Sequence, residues 1–172
     1  MGQICPTIFP TDFEKFDILR QLCRIVFGMD RVSSERRSWI MAQVKGSDTR
    51  PEKIVRSLLH RMGYRFRLHR KDLPGNPDIV LPKFHTVIFV NGCFWHRHPG
   101  CKRASTPAVN VAYWQRKFER NVARDAQCKA ALECLGWRVL VIWECELKDM
   151  ATLCERISKF LGEVVDLHEI CL

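Results

Sequence analysis

The chain lacks any apolar run long enough to span a bilayer: stretches such as Val87–Val90 and Val139–Trp143 fall far short of the roughly 18 residues required. It also lacks a secretory leader pattern, because Asp12, Glu14, Lys15 and Asp17 interrupt any apolar segment near the start. Pro6 stands where an N-myristoylation signal after Met1-Gly2 would need Ser or Thr. No span is therefore expected, and a cytoplasmic location is the default expectation. Internal repeats and low-complexity tracts are missing as well. With 47% hydrophobic residues in 172, disorder, collagen and coiled coil are excluded, and the chain can bury roughly 70% of its unfolded surface.

Cysteine is the residue that is unexpectedly abundant. Nine occur, at 5, 23, 93, 101, 128, 134, 145, 154 and 171, an odd number without framework spacing. Without a secretion signal they read as reduced thiols, small buried hydrophobes or metal ligands rather than disulfides.

The net charge of +9 is not evenly spread. Residues 1–33 are neutral, 34–71 carry +8, 72–92 carry −1, 93–125 carry +5 and 126–172 carry −3. Two basic blocks thus flank a nearly neutral strand region, the pattern of a polyanion-facing cleft around a sheet. Nucleic acid is the expected partner.

Residues 11–28 read as an amphipathic helix with Thr11 and Glu14 at capping-box spacing and Gly28 as a stop. Residues 1–28 are expected to be an extension, and 29–172 the functional domain. A short helix is expected over 34–44. Thr49 and Glu52 form a second capping box, with Pro51 harmless in the first turn of a helix running to Met62. Strands follow at 65–68, 78–81 and 86–90, the first two separated by the turn Pro74-Gly75-Asn76-Pro77. A long helix over 111–135, a buried strand over 137–143 and a last helix over 151–161 complete the order. The expected fold is α/β, with a small mixed central sheet flanked by helices. Trp137 and Trp143 are expected in the core.

Between Gly92 and Cys101, two cysteines and two histidines crowd a turn directly after a strand. Thiolate and imidazole together suit Zn²⁺, and the Pro99-Gly100 bend lets Cys93, His98 and Cys101 surround one ion. Cys145, just past the strand that ends at Trp143, is the best fourth ligand. Four protein ligands would make the site structural and leave His96 free for chemistry. The competing reading is buried cysteines beside surface histidines.

Asp78 opens an apolar strand after a tight turn. Alone it could be a turn cap, but Glu52, His96 and Asp125 come from other elements that could converge on the same strand end. Phosphodiester hydrolysis needs a divalent ion on hard oxygens and a base for the water; Asp78 would hold Mg²⁺ and His96 would handle protons. Glu52 is equally readable as a capping residue, and Asp125 as a solvated helix acid. Phe94 and Trp95 are flanked by polar, metal-binding residues and Trp114 is followed by Arg116, Lys117, Arg120 and Arg124, which suits rings that wedge into stacked bases; the competing reading is that they are core aromatics.

The segments P-G-N-P-D-I-V, V-I-F-V-N-G-C-F-W-H-R-H-P-G-C, N-V-A-R-D and G-W-R-V-L-V-I-W-E-C-E-L, in this order, resemble the very short patch repair endonucleases, from about Ser34 to Asp149. The resemblance implies a fold like the type II restriction endonucleases. It also implies a Mg²⁺-dependent nick beside the T of a T:G mismatch left by deamination of 5-methylcytosine. By motif, Asp78 resembles the metal-binding aspartate, His96 the catalytic histidine, Asp125 its acidic partner, and Glu52 a helix residue reaching the active site. Cys93, His98, Cys101 and Cys145 match the structural zinc ligands. Phe94, Trp95 and Trp114 match intercalating aromatics, and Met41 falls in the region approaching the opposite groove. Val90 stands where well-studied members have Thr, a position that offers its backbone carbonyl to the metal. Two residues separate His98 from Cys101 where some members have one, and no D/E-x-K signature is present in 85–90, so hydrolysis must lean on the histidine. The resemblance also implies a monomer acting on double-stranded DNA. Two alternatives are a zinc-stabilised DNA-binding module without catalysis and a restriction-system nuclease that cuts matched duplex.

Overall fold

The computed structural model describes residues 46–162 and five positions between 35 and 43. The expected helix over 11–28, Met41 and the last ten residues lie outside the described residues. Of the helix expected over 34–44, Glu35, Arg36, Trp39, Ala42 and Gln43 are described; the first four are helical and Gln43 lies in a turn. The described residues belong to two compact units, one of those before residue 45 with Thr106–Val111, the other of the remainder. The second unit holds the sheet.

Helix α1 (Arg50–Arg61) starts where the sequence places it. The Thr49 hydroxyl accepts from the Glu52 amide while the Glu52 carboxylate accepts from the Thr49 amide, and Pro51 lies in the first turn. Its buried residues Val55, Leu58 and Leu59 recur at helical spacing and form one apolar stripe.

Four strands follow in the order β1-β2-β3-β4: β1 (Arg67–Leu68), β2 (Ile79–Leu81), β3 (Thr86–Asn91) and β4 (Arg138–Trp143). The first two pairings are antiparallel and β3·β4 is parallel, so the sheet is mixed. β1 is shorter than the expected 65–68, and both its residues are exposed on the sheet edge. A parallel pair needs a long crossover; here it contains the cysteine-rich turn and helix α2 (Val111–Cys134).

Side chains alternate across the sheet. Ile79, Leu81, Ile88, Leu140 and Ile142 pack with α1 and with Leu153, Ile157 and Leu161 of helix α3 (Met150–Leu161). Val80 and Val87 face the other way, against Leu132 of α2 and Leu73. The result is a small mixed sheet flanked by helices.

Of the two tryptophans expected in the core, Trp137 packs against the Leu73, Val80, Val87 and Leu132 cluster, whereas Trp143 belongs to neither cluster. Trp137 is half-buried and stacks on His85 at 4.6 Å, and Trp143 is half-buried and stacks on His98 at 4.2 Å with rings 8° apart. They stand at the two ends of the β4 segment, where the helical layers give out and an imidazole supplies the missing cover.

Candidate active site and metal centre

In the parallel pairing of β3 with β4, Asn91 stands opposite Trp143. Cys93 and Cys145 each lie two residues beyond that pair, so one sheet register delivers both thiols to the same rim. The intervening turn folds tightly: the amides of His96, His98 and Cys101 donate to the carbonyls of Gly92, Cys93 and His98. The ligand atoms of Cys93, His98, Cys101 and Cys145 all lie within 4.8 Å of one another. His98 Nδ1 is 3.7 Å from Cys93 Sγ and 3.3 Å from Cys145 Sγ. A tetrahedron with ordinary Zn–S and Zn–N bonds has S···N edges of about 3.5 Å, so the cluster fits a structural zinc site closed by protein donors. Trp143 fixes the His98 ring by stacking. Burial pushes the Cys93 thiol up to about 12, while the backbone amide of Arg103 holds Cys101 below the usual thiol range. A bound cation would be needed to keep Cys93 as a thiolate.

The same turn carries His96. Its Nδ1 lies 2.5 Å from Asp125 Oδ2, a separation that requires Nδ1–H to donate to the carboxylate and leaves Nε2 with its lone pair in the neutral ring. Asp125 belongs to a stripe on α2 at alternating spacings of four and three: Trp114, Phe118, Asn121, Asp125, Cys128 and Leu132. The stripe is aromatic at one end, polar in the middle and apolar at the other. Asn121 Nδ2 donates to the Trp95 carbonyl at 3.0 Å, which ties the turn to the helix one step before Asp125.

Asp78 lies immediately before β2, and its Oδ2 accepts from the Val90 amide at 2.8 Å. The sequence explains why. Extending the register Ile79↔Ile88 by two residues sets Val90 opposite Pro77, which has no N–H to give the ladder. The Val90 amide bonds to the Asp78 carboxylate, and the Val90 carbonyl, which points to the same side of the strand as its amide, loses its ladder donor. Carboxylate and carbonyl are hard oxygens of the kind Mg²⁺ takes. Burial, reinforced by the nearby Glu52 charge, pushes the Asp78 carboxyl up to about 6 against the lowering effect of the Val90 amide.

The turn before Asp78 is docked on α2. Gly75 has φ +75, and a Cβ there would meet the Cys128 Cβ at 2.9 Å. Only glycine permits both the backbone and the approach, and the contact ties the Asp78 turn to the helix that bears Asp125.

Glu52 is nearly fully buried, at 3% exposure. Its Oε1 accepts from the Thr49 amide and hydroxyl, and its Oε2 from the Asp48 amide and Arg56 Nη2. Those donors use about all the lone pairs a carboxylate has. The capping reading of Glu52 is therefore realised in the structure, beside the charge it places on Asp78.

Phe94, Trp95 and Trp114 gather into one half-buried group. Phe94 contacts Trp95, Trp114 and Phe118 edge-to-face at centroid distances of 5.0, 5.4 and 5.1 Å. Lys117 Nζ lies 5.1 Å from the Trp95 centroid and 5.8 Å from that of Trp114. Sequence reasoning missed Asn121, Arg56, His69 and the packing role of Trp143. Asn121 was legible, since it sits four residues before Asp125 on one helical face; His69 and Arg56 meet only through the fold.

Among the described residues no helix is long and apolar enough to cross a membrane. The family model described as DNA mismatch endonuclease Vsr matches residues 29–103. Over 132 residues the chain is 56% identical to "Type II nicking enzyme V.XorIIP" of Xanthomonas oryzae pv. oryzae, covering 77% of this chain and 96% of that protein. It is 39% identical over 137 residues to "Type II nicking enzyme V.NmeAIP" of Neisseria meningitidis, covering 80% and 97%. It is 43% identical over 112 residues to "DNA mismatch endonuclease Vsr" of Escherichia coli, covering 65% and 71%. With that extent of identity, and a turn after β3 that contributes both to the cysteine–histidine cluster and to the His96–Asp125 pair, the chain belongs to the Vsr, or very short patch repair, family of nicking endonucleases.

Proposed function

We propose that this protein is a Mg²⁺-dependent endonuclease that nicks duplex DNA beside the T of T:G mismatches arising from deamination of 5-methylcytosine. The observation that carries the reading is the His96–Asp125 pair at 2.5 Å. It presents a basic Nε2 from a turn whose position is set by the zinc ligands on either side of it.

In this reading Asp78 and the Val90 carbonyl hold Mg²⁺, which when bound stabilises charge on the phosphate in flight and acidifies water. Asp125 keeps His96 in the Nδ1–H tautomer and stabilises the imidazolium after it takes a proton at Nε2. Glu52 acts on this site through its charge and its hold on the start of α1. Cys93, His98, Cys101 and Cys145 hold Zn²⁺ as a structural staple. Phe94, Trp95 and Trp114 enter the stack at the mismatch, where a wobble pair costs less to open than a matched one. The basic blocks supply phosphate contacts, so affinity falls steeply with salt. Residues 29–172 form the endonuclease domain and 1–28 an extension, in a monomeric cytoplasmic enzyme.

The decisive experiment is a nicking assay with Mg²⁺ on duplexes differing only in one T:G or T:A pair, comparing wild type with Asp78→Ala and His96→Ala. Nicking of the T:G duplex by wild type alone is expected. Binding without cutting by wild type would leave a zinc-stabilised DNA-binding module, and equal cutting of T:A would leave a nuclease of matched duplex.

A further inference from the structure

A second constellation of ligand atoms lies beside Asp78. Asp48, Glu52 and His69 each offer one ligand atom, all within 4.8 Å of one another, the donor set of a hard divalent ion. Arg56 is seated among them: Nη1 lies 2.5 Å from Asp48 Oδ1, and Nη2 lies 2.7 Å from Glu52 Oε2 and 2.9 Å from His69 Nε2. A guanidinium only donates, so a hydrogen bond from Arg56 to His69 uses the Nε2 lone pair, while the same Nε2 lies 3.4 Å from Asp48 Oδ1. Two carboxylates and an imidazole nitrogen thus converge on one positive group, as they would on a metal ion. Arg56 Nε is buried without a partner, so the side chain gives up one of its own hydrogen bonds to present its terminal nitrogens to these three residues.

We propose that Arg56 is the built-in cation of this cluster: its guanidinium takes the place of a divalent ion among Asp48, Glu52 and His69, and keeps Glu52 turned into the cap of α1. Arg56 is a positioning residue, acting through Glu52. Divalent-ion binding at this edge of the sheet is then confined to the oxygens of Asp78 and Val90. A permanent guanidinium is indifferent to divalent-ion concentration, so the start of α1 stays formed when the ion at Asp78 comes and goes.

The test counts bound Mn²⁺ by electron paramagnetic resonance on the full chain with zinc in place and no DNA, so its outcome is independent of whether the protein nicks T:G duplexes. Arg56→Met is expected to gain one Mn²⁺ site over wild type, filling below about 1 mM, and to lose it again when Asp48→Asn is added. Arg56→Lys, which keeps a cation in place, is expected to bind the wild-type number. Should Arg56→Met fail to fold, judged by circular dichroism and zinc content, Arg56→Gln removes the charge while retaining a donor for Glu52 and takes its place in the count. An unchanged Mn²⁺ number in the neutral variant, or an equal gain in Arg56→Lys, overturns the proposal.

Discussion

Replacing Asp78 with asparagine should make the protein more stable at neutral pH while removing the proposed hydrolysis. The folded carboxyl titrates near 6, raised chiefly by burial, whereas in the unfolded chain it titrates near 3.9. Between those values the folded state holds more protons than the unfolded state, so Asp78 makes stability fall as pH rises through the window. The full penalty is present above about pH 6 and absent well below pH 4. A shift of that size corresponds to about 2 to 3 kcal/mol at pH 7.5, or roughly 5–10 °C in the thermal midpoint of a domain this large. Asparagine is nearly isosteric, keeps an oxygen for the Val90 amide and carries no charge, so it escapes the penalty. The assay is thermal unfolding of wild type and Asp78→Asn, with zinc and without other divalent ions, from pH 4 to 8; the difference between the proteins cancels the other titrating groups. The gap should be widest above pH 6 and shrink steadily toward pH 4, and millimolar Mg²⁺ should narrow it at pH 7.5 by stabilising wild type alone. A variant no more stable than wild type at pH 7.5, or a gap that ignores pH, would refute the reasoning.

Other outcomes follow from the same geometry. Asp125→Asn should lower the nicking rate by about 10²- to 10⁴-fold, because the amide no longer enforces the His96 tautomer, while affinity measured by gel shift on the same duplex stays unchanged. Cys145→Ala should bring zinc content well below one equivalent and lower the thermal midpoint by at least about 10 °C, since structural zinc in small domains contributes on the order of 10 kcal/mol to folding. Trp95→Ala should weaken binding to a T:G duplex by roughly 5- to 150-fold, the loss of one stacking platform, with a much smaller change on matched duplex by fluorescence anisotropy. Gly75→Ala should cost about 1–3 kcal/mol in urea unfolding, because the added methyl group meets Cys128 at 2.9 Å on a backbone of φ +75.

The parts of this site legible in the sequence were those whose chemistry is local. The capping box at Thr49 and Glu52, the density of thiols and imidazoles in 93–101, and the Val- and Ile-rich strands each declare themselves within a few residues. The choice of Cys145 over Cys128, Cys134 and Cys154 was open to sequence reasoning because a cysteine just past a strand end can reach a neighbouring strand's end. What the sequence did not reveal depends on partners far along the chain. Trp143 reads as core because its neighbours in 139–142 are aliphatic, yet its ring covers His98, 45 positions earlier. Arg56 reads as one of many surface cations, and only the close approach of His69 and Asp48 gives it a task. The bond from Asp78 to Val90 could have been inferred from Pro77, but only once the β2–β3 register was known.

The parallel pairing of β3 with β4 sets the order in which the fold can be completed. A chain still on the ribosome that has emerged only through Cys134 already carries Asp78, His96 and Asp125, but neither the strand that closes the sheet nor the thiol at 145 that completes the zinc site. Both the sheet and the cysteine–histidine cluster are therefore completed only once residues 138–145 have been made.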